Sequence, residues 1–245
     1  MVFNKISNTQ IKHVRFLQQK KYRQKYNQFI VEGLKSVDEF LKSTLLCVGV
    51  FGNEEVLNRF VSEIESAKCF YANNKQLEQL TGLKSAQQVL AIFEKPHLGA
   101  IDGAANVILA LDDIRDPGNL GTIIRTADWF GYKEIVCSNS SVDCYNGKVI
   151  QASMGSLSRM KVHYVDLPQF IKEQNTHTLV VADMSGENFK EFKWRNHILV
   201  IGNEGSGASD EIRDLMRAKI TIPRKGEAES LNAAISAAIL LAQID

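Results

Sequence analysis

Cysteine is scarce in this chain of 245 residues, with four at positions 47, 69, 137 and 144. No two form a Cys-x-x-Cys pair, so the pattern offers neither a zinc clamp nor a disulfide framework, and a reducing cytoplasmic setting is expected. Long apolar runs are missing as well. The longest, residues 231–242, is interrupted by Asn232 and Ser236 and is too short to span a bilayer, and residues 1–10 lack the apolar core of a secretory signal, so no membrane partner is expected. The histidines (His13, His97, His163, His177, His197) stand apart from any cysteine or carboxylate spacing that suits a metal, and no metal ligand is assigned. No G-x-G-x-x-G turn follows the first strand of the C-terminal half, which disfavours a nucleotide-dependent oxidoreductase.

Acidic residues are absent from positions 1–31, which hold seven basic ones and leave the rest of the chain at −6 against an overall formal charge of +1. Phe16, Tyr22, Tyr26 and Phe29 interleave with Lys20, Lys21, Arg23 and Lys25. Such a segment suits RNA, through phosphate contacts and stacking faces. It equally suits a solvated basic helix whose aromatics belong to the core.

With 44% hydrophobic and 23% charged residues the chain can bury a substantial core, and its patterning divides near Pro96. In residues 1–96, periodicity predicts helices over 9–19, 34–42, 54–64 and 74–80 and strands over 46–51, 68–71 and 89–93, a small α/β unit. Residues 95–105, with Pro96, Gly99 and Gly103, read as a linker. Residues 105–245 alternate strands (107–111, 134–137, 162–165, 178–182, 198–201, 219–222) with helical patterns, which predicts a parallel sheet covered on both faces.

Parallel sheets bind ligands beyond the carboxyl ends of their strands, where three loops carry polar residues. After 107–111, Pro117-Gly118-Asn119 opens a helix with Arg125 almost two turns on, expected on roughly the same side as Asn119. A surface arginine pairing with Asp116 or Asp128 explains that spacing equally well. After 198–201 comes Gly202-Asn203-Glu204-Gly205-Ser206-Gly207, either a ligand loop or a plain turn before a helix at 210–216. After 219–222, Ser230-Leu231-Asn232 precedes the final helix at 233–243, as a ligand loop or as an N-cap. Residues 152–159, rich in Ser and Gly, read either as a contact for substrate or a partner subunit or as a helix start.

Together the three loops resemble the SpoU (TrmH) family of RNA 2′-O-ribose methyltransferases, in the SPOUT superfamily. Pro117, Asn119, Gly121 and Arg125 match its first motif. Gly202, Glu204 and Gly207 match the second, and Ile222, Pro223, Ser230, Leu231 and Asn232 the third. Arg224 departs from the pattern where methionine is common, as do Ala233 and Ala234 where Val and Ser often follow the asparagine.

The resemblance implies a C-terminal SPOUT methyltransferase domain with a trefoil knot at 105–245, an N-terminal ribosomal-protein-like RNA-binding domain at 1–96, and a homodimer. It implies S-adenosylmethionine as cofactor, held by Ala182, Gly202, Ile222, Ser230 and Leu231. The catalytic set carried over is Arg125, Asn119, Glu204, Ser230 and Asn232, and the RNA contacts expected are Lys20, Lys21, Arg23, Lys25 and Arg125. The implied substrate is structured RNA, ribosomal RNA in preference to tRNA, and the alternative is a non-catalytic RNA-binding or ribosome-assembly factor on the same fold.

Overall fold

The computed structural model describes residues 3–83 and 85–244. Its contacts form two units, one of residues up to His97 together with Asp143–Arg159, the other of Leu98–Val142 together with residues from Met160 onward. Residues 143–159 lie inside the span that the sequence assigns to the methyltransferase half, so the first unit is discontinuous in the chain.

The first unit runs β1 (Asn4–Lys5), α1 (Asn8–Leu17), α2 (Lys20–Tyr26), β2 (Gln28–Glu32), α3 (Leu34–Leu41), β3 (Cys47–Gly52), α4 (Glu54–Leu57), β4 (Cys69–Tyr71), α5 (Asn74–Leu80) and β5 (Val89–Glu94). Its sheet has the order β1-β4-β3-β5-β2; β4 pairs parallel with both neighbours and β5 antiparallel with both of its own. Ser7 with Gln10, and Asn73 with Gln76, close reciprocal capping boxes that start α1 and α5. Val14, Leu17, Leu77 and Leu80 of these helices are buried with Ile30, Phe51, Leu90 and Ile92 of the sheet.

Several elements depart from the sequence reading. The helix expected over 9–19 stops at Leu17, because Gln19 turns extended, and a separate α2 follows. β2, which pattern reading leaves inside the basic segment, buries Phe29, Ile30 and Val31. The helix expected over 54–64 is α-helical only over Glu54–Leu57; beyond it Arg59, Phe60 and Glu63 bond back three residues in tight turns. Val56, Leu57, Phe60 and Ile64 are nevertheless buried, so the apolar spacing was real while the backbone tightened.

The second part of the chain contains β6 (Val107–Leu111), α6 (Pro117–Trp129), β7 (Glu134–Ser138), α7 (Gly147–Ser153, in the first unit), β8 (Lys161–Val165), α8 (Leu167–Glu173), β9 (Thr178–Asn188), β10 (His197–Ile201), α9 (Asp210–Leu215), β11 (Ala218–Thr221) and α10 (Ala233–Leu241). Six strands in the order β11-β9-β10-β6-β7-β8 pair parallel throughout, as the alternating pattern requires. Alternate residues Ile108, Ala110, Leu179, Val181, Ile198 and Val200 form one core with Leu167 and Phe170 of α8 and Ile212 of α9. Their neighbours Leu109, Leu111, Val180 and Leu199 are also buried, so the central strands are covered on both faces. Each such aliphatic side chain contributes about 1.5–3 kcal/mol of burial.

The chain order reverses between β6 and β10: β7 and β8 extend the sheet one way and β10, β9 and β11 the other. That switch point opens a crevice at the carboxyl ends of β6 and β10. In residues 152–159, α7 ends at Ser153, Met154 and Gly155 turn left-handed, and a short 3₁₀ turn follows over Ser156–Ser158; Ser153 and Ser156 are buried.

Candidate active site

Asp116 caps α6 by accepting the Asn119 amide at 2.8 Å, with Pro117 in the first turn. The cap fixes Asn119 beside the end of β10. Its side-chain amide donates to Glu204 Oε1, and its Oδ1 accepts from Asn232 Nδ2 at 2.8 Å. Asn232 in turn caps α10, its Oδ1 accepting the amides of Ala234 at 2.9 Å and Ile235 at 3.3 Å. The cap reading of Asn232 holds, and the same side chain also reaches Asn119. One row of side chains, Asn232–Asn119–Glu204, joins the loops after β6, β10 and β11.

Residues that pattern reading passed over support this row. Asp112, buried at the end of β6, accepts the Ser209 amide at 2.8 Å, and the Asn203 side-chain amide donates to the Asp113 carbonyl at 2.9 Å while its Oδ1 accepts the Gly205 N–H. Asn203 also bridges Gly207 through both backbone groups. The visible signals were the paired acids after an apolar strand and an asparagine between glycines. Gly202 has no alternative: a Cβ would stand 2.2 Å from the Ala208 nitrogen and 2.3 Å from the Gly207 carbonyl carbon.

β9 runs six residues beyond the expected end at Ala182. Its register against β11 jumps from Val181 opposite Lys219 to Glu187 opposite Ile220, so Ala182–Gly186 loops out of the ladder. The loop is pinned by Asp183, whose Oδ1 accepts the Ser185 hydroxyl at 2.7 Å and its amide at 2.9 Å. That hydroxyl bond, then the amide, with Lys219 and Arg213 nearby, holds the Asp183 carboxyl below its ordinary value. Gly186 closes the loop where any Cβ would lie 2.5 Å from the Ile220 nitrogen.

Arg125 is exposed on α6, and no bond from it to Asn119, Glu204 or Asn232 is present among the described residues. Six residues at about 100° each carry it some 240° around the helix, which corrects the expectation that it shares a side with Asn119. Ser230 and Leu231 are exposed in the stretch before α10, Ala182 and Gly202 partly covered, and Ile222 follows β11 directly. Arg224 reaches the Ala228 carbonyl at 3.4 Å, while Ala233 and Ala234 are buried at the head of α10.

In the first unit Lys20, Lys21 and Lys25 are exposed, but Arg23 is not a phosphate ligand. It is 4% exposed, donates to Asp143 Oδ2 at 2.7 and 3.0 Å and to the carbonyls of Leu17 and Gln18, and is thus committed inside the fold. A cleft of about 110 Å³ lies elsewhere in that unit, between His13, Phe51, Phe70 and Ile92, and touches none of the motif residues. Among the described residues no cluster of three His, Cys, Asp or Glu could hold a metal ion, and no helix is long and apolar enough to cross a membrane.

An all-parallel sheet whose switch-point loops are cross-linked by Asn119, Glu204 and Asn232 has the architecture of the SPOUT methyltransferases. The chain superposes with a TM-score of 0.85 on a putative TrmH-family RNA methyltransferase from Porphyromonas gingivalis, at 33% identity and 97% of both chains. It matches an AdoMet-bound rRNA methyltransferase from Sinorhizobium meliloti with a TM-score of 0.84, at 30% identity over 98% of this chain and 95% of that one. The SpoU rRNA Methylase family matches residues 106–242, and an MRM3-like substrate binding domain matches residues 8–91. The chain belongs to the SpoU family of RNA methyltransferases. Among its relatives is the 23S rRNA (guanosine(2553)-2′-O)-methyltransferase RlmP of Bacillus subtilis, 31% identical over 96% of this chain and 95% of the relative.

Proposed function

We propose that the chain uses S-adenosylmethionine to methylate a ribose 2′-hydroxyl of ribosomal RNA, acting in the cytoplasm as a homodimer whose C-terminal chain is drawn through a trefoil knot. The row Asn232–Asn119–Glu204 carries the reading, because it joins the three loops whose motifs define the family. The likeness to RlmP along nearly the whole of both chains supports the 2′-oxygen and ribosomal RNA. Trp129 and Phe130, exposed at 85% and 40% at the end of α6, offer apolar surface to a second copy.

The residues assigned to the cofactor suit it chemically. Ala182, in the loop out of β9, and Gly202 and Ile222, just past β10 and β11, offer backbone groups at the ends of three adjacent strands. Leu231 adds exposed apolar surface, Ser230 a hydroxyl, and none of the five carries a charge. An adenine and a sulfonium need an apolar slot and backbone hydrogen bonds more than a countercharge. Bound S-adenosylmethionine supplies a methyl carbon made electrophilic by its sulfonium.

Arg125, with its planar fork of N–H donors, grips the phosphate beside the target ribose and stabilises the charge that develops on the 2′-oxygen. The proton leaves to that phosphate or to water. Ser230 orients the ribose, while Asn119, Glu204 and Asn232 position the loops. Arg125→Ala should bind S-adenosylmethionine within about twofold of wild type by calorimetry and lose on the order of 10²- to 10³-fold in methyl transfer. Transfer near the wild-type rate would remove Arg125 from the mechanism.

A further inference from the structure

A row of neighbouring aromatic side chains lies on α1 and α2. Phe16 and Tyr22 have ring centroids 4.6 Å apart at 31°, Tyr22 and Tyr26 are 6.3 Å apart at 16°, and His13 meets Tyr26 edge-on at 4.9 Å. Phe16 and Tyr26 are 40% and 37% exposed, whereas Phe29, which follows them in the same segment, is wholly buried. The two readings of this segment therefore divide: Phe29 is core, while Phe16 and Tyr26 are exposed on either side of a half-buried Tyr22. The Lys21 ammonium lies 4.8 Å from the centre of the Tyr22 ring and that of Lys25 lies 5.6 Å from Tyr26. No acidic residue occurs among the first 31 positions to neutralise these charges locally.

We propose that the Phe16–Tyr22–Tyr26 row is a stacking platform for unpaired bases, with Lys20, Lys21 and Lys25 taking the backbone phosphates. The inference rests on the RNA reading above and deepens it, since it selects looped or single-stranded RNA over duplex. A-form helices keep their base faces against one another, so only splayed bases present a face to a ring, and a surface built for phosphates alone has no use for exposed aromatics. In the free protein the two ammonium groups occupy ring faces by cation–π attraction. A phosphate draws them off, and a base takes the place of each.

The test measures binding of the full chain, without S-adenosylmethionine, to an unstructured RNA and to a duplex of equal length across a salt series. Tyr26→Ala and Tyr22→Ala should each weaken single-strand binding about 5- to 100-fold while duplex binding stays within about twofold and the salt slope is unchanged. Tyr26→Phe should bind like wild type; Tyr22→Leu, which keeps apolar bulk without a ring, should behave like the alanine variant. Lys21→Ala should weaken both RNAs and flatten the salt slope by roughly one. Tyrosine variants that are folded by circular dichroism yet bind single strands normally, or that lose both RNAs equally, overturn the platform. Methyl transfer is assayed in parallel, so that ring-dependent single-strand binding by a chain that transfers no methyl group refutes the catalytic reading and leaves the platform standing.

Discussion

Asn119 is the residue on which the three loops converge, giving a hydrogen bond to Glu204 and taking one from Asn232. Asn119→Ala removes both at once and should cost about 1–3 kcal/mol of stability, measured by urea unfolding, with transfer reduced more than cofactor binding. Gly202→Ala must displace backbone at Ala208 and should cost about 3 kcal/mol or more while abolishing S-adenosylmethionine binding. At Asp183 the folded-state pKa lies below the ordinary 3.8, so its contribution to the β9 loop is complete above the unfolded value and is lost as pH falls through the folded one. Ser185→Ala should move the Asp183 titration back upward in an NMR pH series; an unchanged titration would show that another group sets it. Residue identities at the crevice were legible because Asn, Glu and Asn recur at motif spacings. The inward turn of Arg23 was not, since its partner Asp143 lies 120 positions away. Arg23→Ala should therefore destabilise the protein by about 3–5 kcal/mol, leaving a buried carboxylate unpaired, rather than act on RNA affinity alone.

At the scale of elements, strand positions in the parallel sheet were readable because doubly buried strands are short apolar runs bounded by glycine and polar residues. The excursion at Ala182–Gly186 was not, because it depends on register against β11, which no local pattern encodes. The bounds of α2 were not readable either: Lys20–Tyr26 buries only Arg23, so it carries no apolar stripe to set it apart within the basic segment. α10 is the opposite case, an apolar helix whose Ala233, Ala237, Leu240 and Leu241 are buried. Truncation after Pro223 removes those side chains together with the Asn232 bond to Asn119. It should abolish S-adenosylmethionine binding and lower the thermal transition; binding that survived would contradict the assignment of Ser230 and Leu231 to the cofactor.

For the molecule as a whole, the alternation of strands and helices was enough to specify a parallel sheet, and the order of three motifs was enough to suggest the family. Pattern reading did not reveal that Asp143–Arg159 belongs to the first unit. Its anchors, the Arg23–Asp143 pair, the Phe29–Tyr145 contact at 4.5 Å and the Arg159–Glu39 ion pair at 2.9 Å, are all distant in sequence. The central claim, methyl transfer to a ribose 2′-oxygen, is tested most directly by incubating the full chain with labelled S-adenosylmethionine and separated unmodified rRNA and tRNA, then mapping the label by resistance to alkaline cleavage. The account predicts one cleavage-resistant ribose in ribosomal RNA, absent with Arg125→Ala. Label on a base, or in no RNA at all, would contradict it.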